Sequence, residues 1–259
     1  MVYSTYIYKV IFIIITVLLL LFLFVPLFVA FNWGKVPPFT NPSSEVKTFG
    51  NGDTTYRYVV MGDSTAAGQG ADYKKGIAVT TAKHLAKKGT VAMQNFSISG
   101  ATVSDVLAVQ LPQALKTKPD VVLLSVGAND VNHVTSLSSL ERDLDMLVGK
   151  LLANNCEMKI VLTGSPDMGT VKRFIPPLSN LATWQSKRVN TIFKTTVQKQ
   201  QLTYAPIFEK VGPIFKKDQS LYASDNFHPN NRGYAVWNTV LEKALDESLK
   251  QQPSHCVKD

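Results

Sequence analysis

Cysteine and histidine are scarce in this chain, with two Cys and four His among 259 residues. No His-x-x-x-His or clustered Cys/His spacing occurs, so no metal site is expected. Gly68-Gln69-Gly70 lacks the third glycine of a dinucleotide fingerprint, so no cofactor is expected either. Charged residues make up only 18 % of the chain and the net charge is +8. The bases are scattered as Lys74-Lys75, Lys87-Lys88 and Lys216-Lys217 rather than gathered with aromatics, which argues against nucleic-acid binding. Cys156 and Cys256 could pair in an oxidising space, or be a buried thiol and a tail thiol. We expect them unpaired, because Cys256 lies in a polar tail with no evident tie to a core.

What the chain does have is one long apolar run. From Val10 to Phe31 every residue is apolar except Thr16, and Pro26 is the only helix breaker. That is long enough to cross a bilayer as a helix, and membrane helices tolerate a proline. A cleaved signal peptide is the rival. Its apolar core normally runs about 7–15 residues and ends in small residues. Phe28-Val29-Ala30 would put a bulky Phe three places before the cut, so an uncleaved single-pass anchor over residues 10–31 is expected. The flanking lysines, Lys9 before and Lys35 and Lys47 after, barely distinguish the two sides. A short tail of residues 1–9 most simply stays inside, with the domain on the extracytoplasmic side.

Residues 32–55 carry Pro37-Pro38, Asn41-Pro42 and Asn51-Gly52-Asp53 and show no periodicity, so they read as a linker. From residue 56 short apolar runs alternate with amphipathic stretches. Tyr56–Met61, Val91–Phe96, Asp120–Ser125, Lys159–Thr163 and a weaker Leu202–Ala205 read as strands. Helices are expected near Ala78–Lys88, Ser104–Thr117, Ser139–Asn154, Leu181–Lys199 and Asn231–Lys250, with Ser138 and Glu141 forming a capping-box signal for the third. Val121-Val122-Leu123-Leu124 is apolar on both faces, as in a sheet covered by helices on both sides. The reading is an α/β domain over 56–250 with a doubly wound, mainly parallel five-stranded sheet, followed by a tail over 251–259. In such sheets the crevice lies beyond the carboxyl ends of the strands.

Four segments fall at those ends: Gly62-Asp63-Ser64, Ser99-Gly100-Ala101, Gly127-Ala128-Asn129-Asp130 and Asp225-Asn226-Phe227-His228. Ser64 offers a hydroxyl that needs a base to become nucleophilic. His228 is the candidate base, and Asp225 can hold its other ring nitrogen. Pro229 would stiffen the loop. The Ser64 N–H, the Gly100 N–H and the Asn129 side-chain amide are candidate donors to an oxyanion. Ser64 does not sit in Gly-x-Ser-x-Gly, because Ala66 replaces the last glycine, which argues against the α/β-hydrolase elbow. Asp63 and Asp130 read as structural turn residues, and His133 as an exposed loop histidine. His84 and His255 are given no role.

The order of these blocks, with Asn95-Phe96-Ser97-Ile98-Ser99-Gly100-Ala101-Thr102 as the second, resembles the SGNH or GDSL hydrolases over about residues 56–245. One departure is Thr65 where the name-giving motif has Leu. The resemblance implies Ser64 as nucleophile, Asp225 and His228 as orienter and base, and Gly100 and Asn129 with Ser64 in the oxyanion hole. It also implies an ester substrate, either an acyl lipid or lysophospholipid near the bilayer or an O-acyl group on a wall or surface glycan. A non-catalytic domain that binds acylated ligands is the rival from another class. The segment Asp167–Asn180 reads either as a covered connection or as an apolar wall of an acyl pocket.

Overall fold

A computed structural model describes residues 2–34, 36–251 and 256. Its centre is a six-stranded sheet in the order β1-β3-β2-β4-β5-β6. The strands are β1 (Lys47–Phe49), β2 (Thr55–Gly62), β3 (Thr90–Asn95), β4 (Val121–Ser125), β5 (Lys159–Leu162) and β6 (Thr203–Tyr204). β2 to β6 are mutually parallel, as expected. β1 is the addition, antiparallel to β3 at the edge. The segment read as a linker therefore contributes a strand. Its three-residue length and its partly exposed Lys47 and Phe49 left no alternating signal to read.

Every residue of β4 is buried. Helices Ile77–Leu85 and Asn231–Lys250 pack together on one face of the sheet, and Leu137–Asn154 and Leu178–Lys199 cover the other. Full burial of each such Val or Leu contributes about 1.5–3 kcal/mol, which is why an apolar run on both pleat faces requires two helical layers. After β2 the chain crosses to β3 on one side, then returns to β4 on the other. That reversal opens a crevice at the carboxyl end of β2.

Two local expectations are corrected. The stretch Ser104–Thr117 is broken into Val103–Asp105, a π-helical turn Val106–Gln110, and Leu111–Lys116. The capping box sits elsewhere than read: Leu137–Asn154 starts after Ser136, which makes no capping bond, whereas Thr102 and Asp105 cap each other reciprocally.

The helix Val2–Asn32 contains Pro26 and projects nearly bare. Within Tyr6–Asn32 an 18-residue window reaches a mean hydropathy of 3.3 and is 6 % buried. The Thr16 hydroxyl donates to the Phe12 carbonyl at 2.8 Å, so the lone polar side chain is satisfied within the helix. By length and composition this helix suits a membrane span or a signal sequence. Its carboxyl end is held by Arg173, whose guanidinium donates to the Trp33 and Gly34 carbonyls.

Cys156 and Cys256 form a disulfide with Cα atoms 5.0 Å apart, which corrects the unpaired reading. The tie missing from the sequence is Gln251. Its carbonyl accepts from Lys159 Nζ at 2.7 Å and its side chain from Thr203 Oγ1 at 3.0 Å. These bonds draw the tail onto the starts of β5 and β6, beside the turn carrying Cys156. The bridge closes a separation of 100 residues. Replacing both cysteines by serine is expected to lower unfolding stability by about 2–5 kcal/mol in non-reducing denaturant titrations. Identical curves for the variant and the parent would show that the cross-link contributes nothing.

Candidate active site

β2 ends against β4 so closely that only glycine fits. Gly62 has φ +143°, and a Cβ there would lie 1.8 Å from the Ser125 carbonyl oxygen. A buried amide secures the same residue: Gln110 Oε1 accepts from the Gly62 N–H at 2.9 Å, and Gln110 Nε2 donates to its carbonyl at 2.8 Å. Asp63 then caps a single helical turn, Ser64–Ala67, accepting from the Thr65 N–H at 2.9 Å and the Thr65 hydroxyl at 2.7 Å. Ser64 is the first residue of that turn. Its N–H finds no backbone acceptor among the described residues.

The second contributor is the loop before the last helix. Asp225 is 1 % exposed, and its Oδ1 accepts from the N–H groups of Phe227 (2.9 Å) and His228 (3.0 Å). The Ala223 N–H donates to the His228 carbonyl at 2.8 Å, closing the loop on itself. Asn230 caps the final helix, accepting from the Arg232 and Gly233 N–H groups. The loop is therefore braced at both ends.

Asp225 Oδ2 lies 2.6 Å from His228 Nδ1, and His228 Nε2 lies 3.0 Å from Ser64 Oγ. With its proton on Nδ1, the imidazole donates to Asp225 and leaves Nε2 to accept from the hydroxyl. Burial pushes the Asp225 carboxyl up, but the His228 ring and the loop N–H groups outweigh it and hold its pKa below the ordinary value. The carboxylate thus stays charged beside the ring. Burial also pushes Asp63 up, to about 6, against its bonds to Thr65.

Gly100 and Asn129 lie on the segments that follow β3 and β4. Gly100 has φ +87°, and a Cβ on it would meet nothing within 4 Å, so its backbone borders open space. The Asn129 amide donates to the Ala101 carbonyl at 3.0 Å, using one of its two N–H bonds. Asp130 accepts from the Val103 N–H at 3.1 Å and is buried, in keeping with a scaffold residue. His133 is exposed. His84 lies apart, paired with Glu242 and Asp246. His255 lies outside the described residues. Among the described residues no three His, Cys, Asp or Glu side chains gather as a metal would need.

Of Asp167–Asn180, the stretch through Val171 lines a cavity beside Ser64. Phe174 stacks edge-on to Phe227, and Ile175 faces the end of the apolar helix. Three residues escaped the sequence reading. Gln110 is a lone amide on an apolar helix face, and that isolation was its only signal. Gln69 Oε1 accepts from the Ser99 hydroxyl at 2.6 Å. Asn41, from the segment read as linker, accepts from the Ser99 N–H at 2.8 Å. Nothing local in its sequence marks it.

The raised Asp63 has a consequence for stability. Its pKa is about 6 when folded and about 4 when unfolded. The folded chain therefore holds an extra proton between those values. That stabilisation is full below pH ~4 and is lost as pH rises through ~6. Asp63→Asn keeps the acceptor oxygen but cannot titrate. From pH 4 to 7 the parent is expected to lose about 2–3 kcal/mol relative to the variant in denaturant unfolding. Parallel pH profiles would contradict the assignment.

Residues 60–236 match the model of the GDSL-like Lipase/Acylhydrolase family. The chain is 25 % identical over 200 residues to the GDSL-like esterase Rv1075c of Mycobacterium tuberculosis, covering 75 % of this chain but 63 % of that protein. It is 28 % identical over 174 residues to Esterase TesA of Pseudomonas aeruginosa, covering 66 % of this chain and 78 % of the relative. The crystal structure of TesA superposes with a TM-score of 0.62 at 25 % identity, covering 75 % of this chain and 99 % of that one. With two thirds of its length inside the family match, this chain belongs to the GDSL-like lipase/acylhydrolase family.

Proposed function

We propose that this protein is a carboxylic-ester hydrolase in which Ser64 is the nucleophile, His228 the general base and acid, and Asp225 the group that orients and charges the ring. One observation carries the reading: a single buried imidazole bonds the Ser64 hydroxyl at 3.0 Å and the Asp225 carboxylate at 2.6 Å. As Ser64 Oγ bonds to the ester carbonyl carbon, its proton passes to His228 Nε2. The tetrahedral intermediate collapses, the carbon–alkoxide bond breaks, and His228 returns the proton to the departing alcohol. Water, deprotonated by the same ring, then attacks the acyl-enzyme, and Ser64 recovers its proton from His228 as the acid leaves. Asp225 stabilises the imidazolium in both halves.

The Ser64 and Gly100 N–H groups and the free Asn129 N–H serve as oxyanion donors. Asn41 acts as a positioning residue, holding the Ser99-Gly100 turn at the angle this needs. The relatives named as esterases support the same chemistry. Residues 10–31 of the long apolar helix are read as a single-pass anchor, with residues 1–9 inside and the domain outside. The disulfide supports an oxidising, extracytoplasmic setting for the domain.

Hydrolysis of 4-nitrophenyl esters by the full chain in detergent tests the roles. Ser64→Ala is expected to reduce kcat by on the order of 10⁴–10⁶ and Asn129→Ala by about 10²–10³. Asn41→Ala should lower kcat about ten-fold with KM little changed, while Asn41→Asp, which keeps an acceptor oxygen, retains most of the rate. Turnover retained by Ser64→Ala would reject the nucleophile, and no turnover by the parent on any ester would favour a ligand-binding domain.

A further inference from the structure

We propose that the cavity beside Ser64 is an acyl pocket that admits short chains, acetyl and propionyl, and excludes fatty acyl groups. The proposal rests on the ester-hydrolase reading above and names the class of ester that site takes. The cavity has a volume of about 40 Å³, and Ser64 and His228 form part of its lining. Its walls come from the loops after β5 and β6 and from the last helix: Met168, Val171, Val211, Phe215 and Trp237. All five side chains are buried. The lining is overwhelmingly hydrocarbon, so it suits an alkyl group and offers little to a sugar or a phosphate.

Size sets the limit. An apolar cavity of about 150 Å³ takes up benzene, with six carbons. A space of about 40 Å³ then holds only about one to two carbon groups by that comparison. The wall formed by Phe215 does not yield readily. The Phe215 ring packs edge-on to Tyr222 with centroids 5.0 Å apart, and the Tyr222 hydroxyl lies 2.9 Å from Thr170 Oγ1. Behind the ring stands Gly233, where even an added Cβ would come within 2.9 Å of Phe215 Cζ. On the near side the Met168 N–H is held by Ser186 Oγ at 3.1 Å. Close-packed interiors of this kind transmit strain rather than absorb an extra methylene.

The enclosure by buried apolar walls also decides which half of the ester enters. The alcohol must leave to solvent and make room for water after the first step. The acyl group stays bonded to Ser64 Oγ until the second, so an apolar recess suits the group that remains. The leaving alcohol faces the open crevice and is expected to be tolerated over a wide range of sizes.

Two ester series on the full chain test this. In 4-nitrophenyl esters from acetate to dodecanoate, kcat/KM is expected to peak at acetate or propionate and to fall at least ten-fold by octanoate. In acetate esters of ethanol to octanol it should change less than about three-fold. Phe215→Leu, which cuts back one buried wall, should move the acyl optimum longer by about two carbons. A parent optimum at octanoate or beyond, or discrimination by alcohol length instead of acyl length, overturns the pocket. So does a folded, active Phe215→Leu enzyme with the parent's profile. If that variant does not fold, the parent's two series decide alone. Failure to hydrolyse any ester would instead count against the hydrolase reading itself.

Discussion

The hydrogen bond between His228 Nε2 and Ser64 Oγ joins residues 164 positions apart. Most of the remaining architecture can be understood as holding its two ends still. One end is a turn made possible by Gly62, where any side chain would strike the Ser125 carbonyl. Gln110 clamps that glycine from the π-helical turn, a distortion that re-aims a side chain out of an otherwise apolar helix. The other end is a loop whose N–H groups are spent on Asp225, leaving the histidine little rotational freedom. Neither end is held by the hydrophobic effect alone. The core sets the sheet, and a handful of buried polar bonds sets the angles.

The segments flanking the domain take part in this arrangement. Arg173 donates from its guanidinium to the end of the apolar helix, and its own N–H donates to the Asn226 carbonyl at 3.2 Å. The same side chain lies over the Phe227 ring at 5.7 Å. The end of the apolar helix and the loop carrying Asp225 are therefore linked through one residue. Farther along, Asn41 reaches the turn of Gly100, and Lys47–Phe49 closes the sheet edge. Covering that edge also blunts a row of unpaired backbone groups that would otherwise invite association.

The fold was legible where burial dictates composition. Val121-Val122-Leu123-Leu124 and Tyr58-Val59-Val60-Met61 are apolar on both faces because helices cover both, and that pattern survives in the sequence. Ser64 was legible for a related reason, because it directly follows β2 and the parallel sheet places it at the carboxyl end, whereas Asp225 and His228, three helical segments past β6, were legible only from their own spacing. Features that depend on a single distant partner were not legible. β1 is three residues long, and its pairing with β3 leaves no periodicity. The disulfide depends on Gln251 meeting Lys159 and Thr203. Asn41 acts through an N–H on a separate loop. In each case the determining contact lies far along the chain, and the local residues read as ordinary loop.

The central claim is that the Ser64 oxygen is made nucleophilic by His228. It is tested most directly by treating the full protein with a fluorophosphonate and locating the adduct by mass spectrometry. The account predicts a single phosphonylated residue, Ser64, and labelling of His228→Ala slower by on the order of 10³-fold or more. Labelling at another residue, or at Ser64 with an undiminished rate in His228→Ala, would contradict it.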